Sequence, residues 1–404
     1  MRIATANTFD NTVSTLMSRQ LQLQKSQTQL TSGKRISQAS DDPTGAAQAE
    51  RSRAEVSRID ADNRALQASQ NAMTLAESGL GDATDILQQI RETLVQAGDG
   101  SYTDTERQAL GNKVQDLRNQ LFTIANRTDG SGNYLFAGQG SGGAPFVDQN
   151  GGVKYLGVAG TNQTGVFSGY PLSIDGRLAF EQANSGNGSF VTGAGSNANT
   201  GDAPQAWIDG GNLIDPKALT GHGYTIQING SAPTQSYVVT DDSTGNVVGS
   251  DSYSSGHAIQ FDGMSMSISG SPVDGDQFTV QPSAANLRVF DVLDRTIAHL
   301  NSPSRTGAQI SQDNAIDTRD LDAVMGNMQN VRSQVGETMN NLDNTQTRMS
   351  ALKLNAQTEQ SNAEDLDMVK GISDFQSQQT GYQAALQTYA MVQRMSLLQF
   401  ITTS

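Results

Sequence analysis

The chain has 404 residues, 35% of them hydrophobic, a formal net charge of −15 and no cysteine. The length allows two or three domains, and the apolar share is low for one large core. The acidic balance argues against nucleic acid and against an anionic membrane surface as partners and leaves other proteins, while the missing thiols exclude disulfides, thiolate metal sites and a cysteine nucleophile.

The first twenty residues carry no apolar signal-peptide region, and no stretch approaches the roughly 18 apolar residues of a membrane span. A cleavable signal peptide of the standard kind is therefore not expected. Phe9, Leu16, Leu23 and Leu30 recur at a seven-residue step, with Val13 in a companion row. That step is a coiled-coil seam and predicts left-handed supercoiling. Polar Gln20 and Gln27 also occupy the seam, so this arm is expected to order on assembly rather than alone, although an ordinary amphipathic helix has the same pattern.

Gly33 breaks the seam, and Ser40-Asp41-Asp42-Pro43 starts a second helix. With no histidine nearby, the two aspartates read as caps rather than metal ligands, and Pro43 suits a first turn. The helix is expected from Thr44 to about Ala97, with Ile59, Leu66, Met73, Leu80, Leu87 and Leu94 on one stripe. Thr103-Asp-Thr-Glu106 matches a capping box. It opens a helix with a Leu110, Val114, Leu117, Leu121 and Ile124 face, expected to fold back on that stripe.

From Gly138 to Pro282 the pattern changes: seven of the nine prolines lie here and short strand-like runs replace the heptads. Strands are expected at 224–228, 236–240, 258–261, 264–268 and 277–280, with Asp262-Gly263 as a hairpin turn. Asn184 to Asp202 reads as an exposed loop, Trp207 as a core anchor, and Asp274-Gly-Asp276 as a turn rather than a calcium site. Gly138-Gln-Gly-Ser-Gly-Gly143 has the spacing of a dinucleotide loop, but no helix with a periodic face follows it. His222, His257 and His299 are scattered, which favours surface or packing roles over catalysis.

After Pro282, Leu287, Phe290, Leu293 and Ile297 lead into a long seam of Leu321, Met328, Val335, Leu342, Met349, Ala356 and Ala363, with Val324, Val331, Leu352 and Leu366 beside it. No proline follows Pro303, so one helix is expected to Phe400. The terminal arms would present Phe9, Val13, Leu16, Leu23, Leu30, Ile372, Phe375, Tyr382, Leu386, Tyr389, Leu397 and Phe400 as an apolar assembly interface. The expected fold class is α+β and multidomain, with long antiparallel coiled-coil arms formed by paired N- and C-terminal segments around an inserted β-rich domain. The segments are 1–42, 43–137, 138–284, 285–362 and 363–404.

Gln27-Thr-Gln-Leu-Thr-Ser-Gly-Lys-Arg35 followed by Ser40-Asp-Asp-Pro43 resembles the amino-terminal signature of the bacterial flagellin family, especially its hook-associated branch. Met1-Arg-Ile-Ala-Thr5, Asn133-Tyr-Leu-Phe-Ala-Gly138, Gly275-Asp-Gln-Phe-Thr-Val280, Asp365-Leu-Asp-Met-Val-Lys-Gly-Ile-Ser-Asp374 and Ser396-Leu-Leu-Gln-Phe400 are similar to the same branch. The resemblance implies a structural, non-enzymatic subunit of the extracellular flagellum without a cofactor. Residues 1–42 and 363–404 would form an inner helical tube, 43–137 and 285–362 a second helical layer, and the β-rich insert would project outward. It further implies a ring of like subunits at the hook–filament junction, touching hook-associated protein 1 on one side and flagellin on the other. A cytoplasmic export chaperone on the carboxy-terminal helix and type III export without cleavage are implied in the same way. The alternative is a flagellin filament subunit, against which the 134–138 motif and Lys34-Arg35 count. A surface adhesin or enzyme built on the insert is a third class.

Overall fold

The computed structural model describes the backbone of residues 2–140, 142–165, 169–196 and 205–401, and the side chains of these except at 2–9 and 392–401. Contacts divide the chain into two compact units, residues 1–64 with 345–404, and residues 65–344.

In the first unit, α1 (Arg2–Ser32) packs against α7 (Met368–Ile401). The unit also contains the first turns of α2 (Pro43–Ala97) and the last turns of α6 (Gly307–Glu364). Ala49 and Ile59 from α2 and Met349, Ala356 and Ala363 from α6 are buried there, as the heptads require. The companion row fails at Leu352, which is 44% exposed. The expected single carboxy-terminal helix also breaks, at residues 365–367. Neither proline nor glycine causes this. The Asp367 carboxylate accepts the backbone N–H groups of Val369 and Lys370 at 3.0 and 3.1 Å, capping a new helix.

The second unit holds two separate cores. In the helical one, Leu66, Met73, Leu80, Leu87 and Leu94 of α2 meet Leu321, Val324, Met328, Val331, Val335 and Leu342 of α6. Arg332 pairs with Glu77 at 2.6 Å and the Gln70 amide donates to Asp343 at 2.9 Å, so the two helices run antiparallel. Helix α3 (Asp104–Ala125) packs on α5 (Val289–Asn301), and its Val114, Leu117 and Leu121 join this core. Its capping box is formed: the Thr103 N–H donates to Glu106 at 2.7 Å, and the Glu106 N–H donates to the Thr103 hydroxyl at 3.4 Å.

The Asn133-to-Gly138 run enters this core irregularly, with Leu135, Phe136 and Ala137 fully buried. The Phe136 ring meets Phe180 of the short α4 (Gly176–Phe180) edge-on at 5.5 Å. Gly138 has φ 64°, and a Cβ there would lie 1.8 Å from the Val158 carbonyl oxygen, so this position needs glycine.

The second core belongs to the insert. An antiparallel five-stranded sheet runs in the order Val247–Ser252, Ser236–Asp241, Tyr224–Asn229, Gln277–Pro282, Phe190–Ala194. It shares its core with a smaller sheet of Ala258–Phe261, Met264–Gly270 and Ala206–Ile208, to which Asn212–Leu213 adds. Alternation sets the faces: Tyr224, Ile226 and Ile228 are buried, as are Met264, Met266 and Ile268. The Asp262-Gly263 turn has φ 43° and 78°, the left-handed pair of a tight hairpin.

Two expectations fail here. Phe190–Ala194, placed in a loop by composition, is an edge strand with Phe190 buried. Trp207 is only half-buried, because the strand period turns Ala206 and Ile208 inward instead. One polar device ties the insert to α6: the Gln312 side chain accepts the Ile208 N–H at 2.9 Å and donates to its carbonyl at 3.2 Å. It thereby replaces a missing neighbour strand.

Candidate assembly interface

Helices α1 and α7 come from opposite ends of the chain and lie antiparallel. The Ser26 hydroxyl donates to the Gln378 side chain at 2.7 Å, Leu30 packs beside Gly371, and the Arg19 guanidinium lies over Gly381. A Cβ at residue 381 would come within 2.5 Å of that guanidinium and would push the flexible Arg19 side chain aside. Val13, Leu16, Leu23 and Leu30 are half-buried on α1, and Phe375, Tyr382 and Tyr389 are half-buried on α7. These seven therefore line the seam within the chain. Ile372 and Leu386, each one turn from these on α7, are left more open at 47% and 41% exposure, and Val369, one turn from Ile372, is 83% exposed. Met17 and Leu21 of α1 are exposed as well. The side chains of Phe9, Leu397 and Phe400 lie outside the described residues.

The pair is closed by an elbow that periodicity does not reveal. Residues 33–36, between α1 and α2, meet residues 363–366, at the end of α6 and the break after it. The Arg35 N–H donates to the Glu364 carbonyl at 2.7 Å, the Leu366 N–H to the Gly33 carbonyl at 2.9 Å, and the Arg35 guanidinium to the Ala363 carbonyl at 2.6 Å. The buried Glu364 carboxylate receives Lys34 at 3.0 Å, Arg53 at 2.9 Å and the Gln360 amide at 2.8 Å. Of the two aspartates expected as caps, Asp42 caps α2, whereas Asp41 closes the turn before it. Asp41 accepts the N–H groups of Ser37 and Gln38, both at 3.1 Å, and Asp42 accepts the Gly45 N–H at 3.0 Å and the Thr44 hydroxyl at 2.8 Å.

Electrostatics makes the elbow acid-sensitive. The Gly45 N–H, then the Thr44 hydroxyl and Arg35, draw the Asp42 carboxyl down to about 2. Burial alone would raise Glu364, but Gln360, Lys34 and Arg53 outweigh it and hold the group below the usual glutamate range. Depressed carboxylates contribute stability that is full above their unfolded values, near 4, and is lost as pH falls through the folded ones. The Arg35 and Leu366 amides are therefore expected to lose hydrogen-exchange protection between roughly pH 4 and pH 2. Glu364→Gln should weaken that response, and unchanged protection across the range would contradict the assignment.

Among the described residues, no group of three His, Asp or Glu side chains is placed to hold a metal ion, and no helix is long and apolar enough to cross a membrane. His222 and His299 each lie 2.8 Å from a carboxylate, of Asp241 and Asp317 respectively. Asp274 and Asp276 close the turn at Gly275 by accepting the N–H groups of Gly230 and Val273.

The bacterial flagellin N-terminal helical region matches residues 3–141 and the C-terminal helical region residues 318–401, together more than half of the chain. The D2-like domain of flagellar hook-associated protein 1 matches residues 196–282. Flagellar hook-associated protein 3 of Salmonella typhimurium is 35% identical over 156 residues, 38% of this chain and 48% of its own length. A flagellin of Bacillus subtilis is 32% identical over 130 residues, 32% of this chain and 43% of its own. The chain thus aligns with less than half the length of either relative. The flagellar junction protein FlgL from Legionella pneumophila superposes with a TM-score of 0.65 at 26% identity, covering 72% of this chain and 98% of that one. The chain belongs to the bacterial flagellin family.

Proposed function

We propose that the chain is a structural subunit of the bacterial flagellum, at the hook–filament junction, where it adapts the hook to the flagellin filament. The observation that carries this reading is the closed pairing of α1 with α7, which leaves Met17, Leu21, Val369, Ile372 and Leu386 exposed on the helices that hold the two ends of the chain together. Exposed apolar side chains on helices that are already paired offer a surface for a further contact, and the contact here is with like copies. The role is mechanical rather than catalytic. The same reading makes hook-associated protein 1 and flagellin the two neighbours and makes α7 the element a cytoplasmic chaperone covers before export. The family's N-terminal and C-terminal helical regions, the likeness to the flagellar junction protein of Legionella and the hook-associated D2-like match of the insert all support it.

A filament subunit is the second reading, favoured by the flagellin likeness. Deleting the gene separates them. Cells that keep hooks and shed unpolymerised flagellin into the medium support the junction. Intact hooks with no flagellin in the medium point to the filament subunit, and normal filaments contradict both.

A further inference from the structure

With no cysteine in the chain, methionine is its only sulfur-bearing residue, at twelve positions. The side chains of Met1 and Met395 lie outside the described residues. Among the described ones, Met73, Met264, Met266, Met328 and Met349 are no more than 5% exposed, and Met325 and Met339 are half-buried. Met17, Met368 and Met391 stand apart at 60%, 46% and 58% exposure. All three lie on the paired terminal helices, Met17 on α1 and the other two on α7.

Burial decides which of these sulfurs an oxidant in water can reach. Hydrogen peroxide transfers one oxygen atom to an accessible thioether: an S–O bond forms from a sulfur lone pair, the O–O bond breaks, and water leaves. Sulfur is oxidised and the peroxide reduced, and a flexible apolar side chain becomes a polar sulfoxide. Met17 lies one turn from exposed Leu21, and Met368 one turn from exposed Ile372. The added oxygen therefore falls within the apolar surface that the terminal helices leave open.

We infer that Met17, Met368 and Met391 are modification sites for oxidants of the peroxide class, and that their conversion to sulfoxides turns the assembly face off while the cores stay intact. This rests on the reading of that face as the contact with like copies. In the free chain each sulfoxide remains hydrated, so folding is not what changes. In the contact its oxygen, a strong acceptor, would lose water with no donor opposite it, and burial penalises that. Methionine sulfoxide reductases return the sulfoxide to the thioether, so the change is reversible.

The test treats the full chain with dilute hydrogen peroxide and follows each methionine by peptide mass spectrometry. Met17, Met368 and Met391 should gain oxygen severalfold faster than Met73, Met328 and Met349, with no change in the circular dichroism spectrum. Oxidised and untreated chain are then added to hooks isolated from cells that lack the gene, and the bound chain is measured. Untreated chain should bind, and oxidised chain should lose most of its binding. A variant with Met17→Leu, Met368→Leu and Met391→Leu keeps volume and apolar character without the reactive sulfur, so it should bind with or without peroxide. Equal oxidation rates in the two groups of methionines, oxidised wild type that binds as well as untreated, or a variant that stays as sensitive to peroxide overturns the inference. If untreated wild type and untreated variant both fail to bind, the assembly reading itself is contradicted, and the inference falls with it.

Discussion

Leu386→Asp is expected to leave both units of the chain folded and to prevent its incorporation into the flagellum. Leu386 sits on α7 at 41% exposure, one turn from the half-buried Tyr382 and Tyr389 on the same helical face, at the open margin of the seam. In the isolated chain the new carboxylate stays in water at the margin of the seam, so the cost in stability should be about 1 kcal/mol. In an assembled contact it would be stripped of water without a partner, a penalty of roughly several kcal/mol. Thermal unfolding should therefore stay within about 4 °C of the wild type while electron microscopy shows cells without attached filaments. Normal motility with normal incorporation would sink the assignment of this face.

Phe136→Ala should have the opposite effect, on folding rather than assembly. The ring is fully buried, packs edge-on with Phe180, and fills the space beside Gly79, whose hypothetical Cβ would sit 3.4 Å from it. Truncating such a side chain costs about 3–5 kcal/mol through lost transfer energy and the cavity left behind. The loss should fall on the helical core of residues 65–344, because the insert has its own core around Tyr224, Ile226 and Ile268. Urea unfolding followed by far-UV circular dichroism reads the difference. A cost below about 1 kcal/mol would show that the site collapses around the gap and that the motif is not a structural staple.

Legibility in the sequence follows the range of the interactions. Heptad positions are local, and Leu66, Met73, Leu80 and Leu87 on one helix and Leu321, Met328, Val335 and Leu342 on another are all buried as their spacing demands. Turn and cap chemistry is local too, so Asp42, the Thr103–Glu106 box and the Asp262-Gly263 hairpin could be read directly. The elbow is not local. Glu364 meets Lys34 across 330 residues and Arg53 across 311, and nothing in either segment's periodicity announces the other. An unpaired-looking glutamate at the end of a long seam, opposite a Lys-Arg pair after a glycine break, was the available signal.

The helix break at 365–367 escaped for a related reason. An aspartate within a helical pattern is neutral until its side chain takes the next helix's amides, as Asp367 does. In the insert, a Gly- and Ser-rich composition hid the edge strand Phe190–Ala194, whose burial comes from pairing with Gln277–Pro282 far along the chain. Trp207 was misplaced because size suggested an anchor, while the two-residue strand period put its small and aliphatic neighbours inside.

The most direct test of the central claim uses the absence of cysteine from the chain. Val247 lies on an edge strand of the insert and is well exposed, so Val247→Cys creates one accessible thiol without touching either core. Cells producing this variant would be treated with a maleimide–gold label and their flagella imaged by electron microscopy. The proposed function predicts one narrow band of label per flagellum, where hook meets filament. Label spread along the filament, or none on intact flagella that contain the variant, would contradict it.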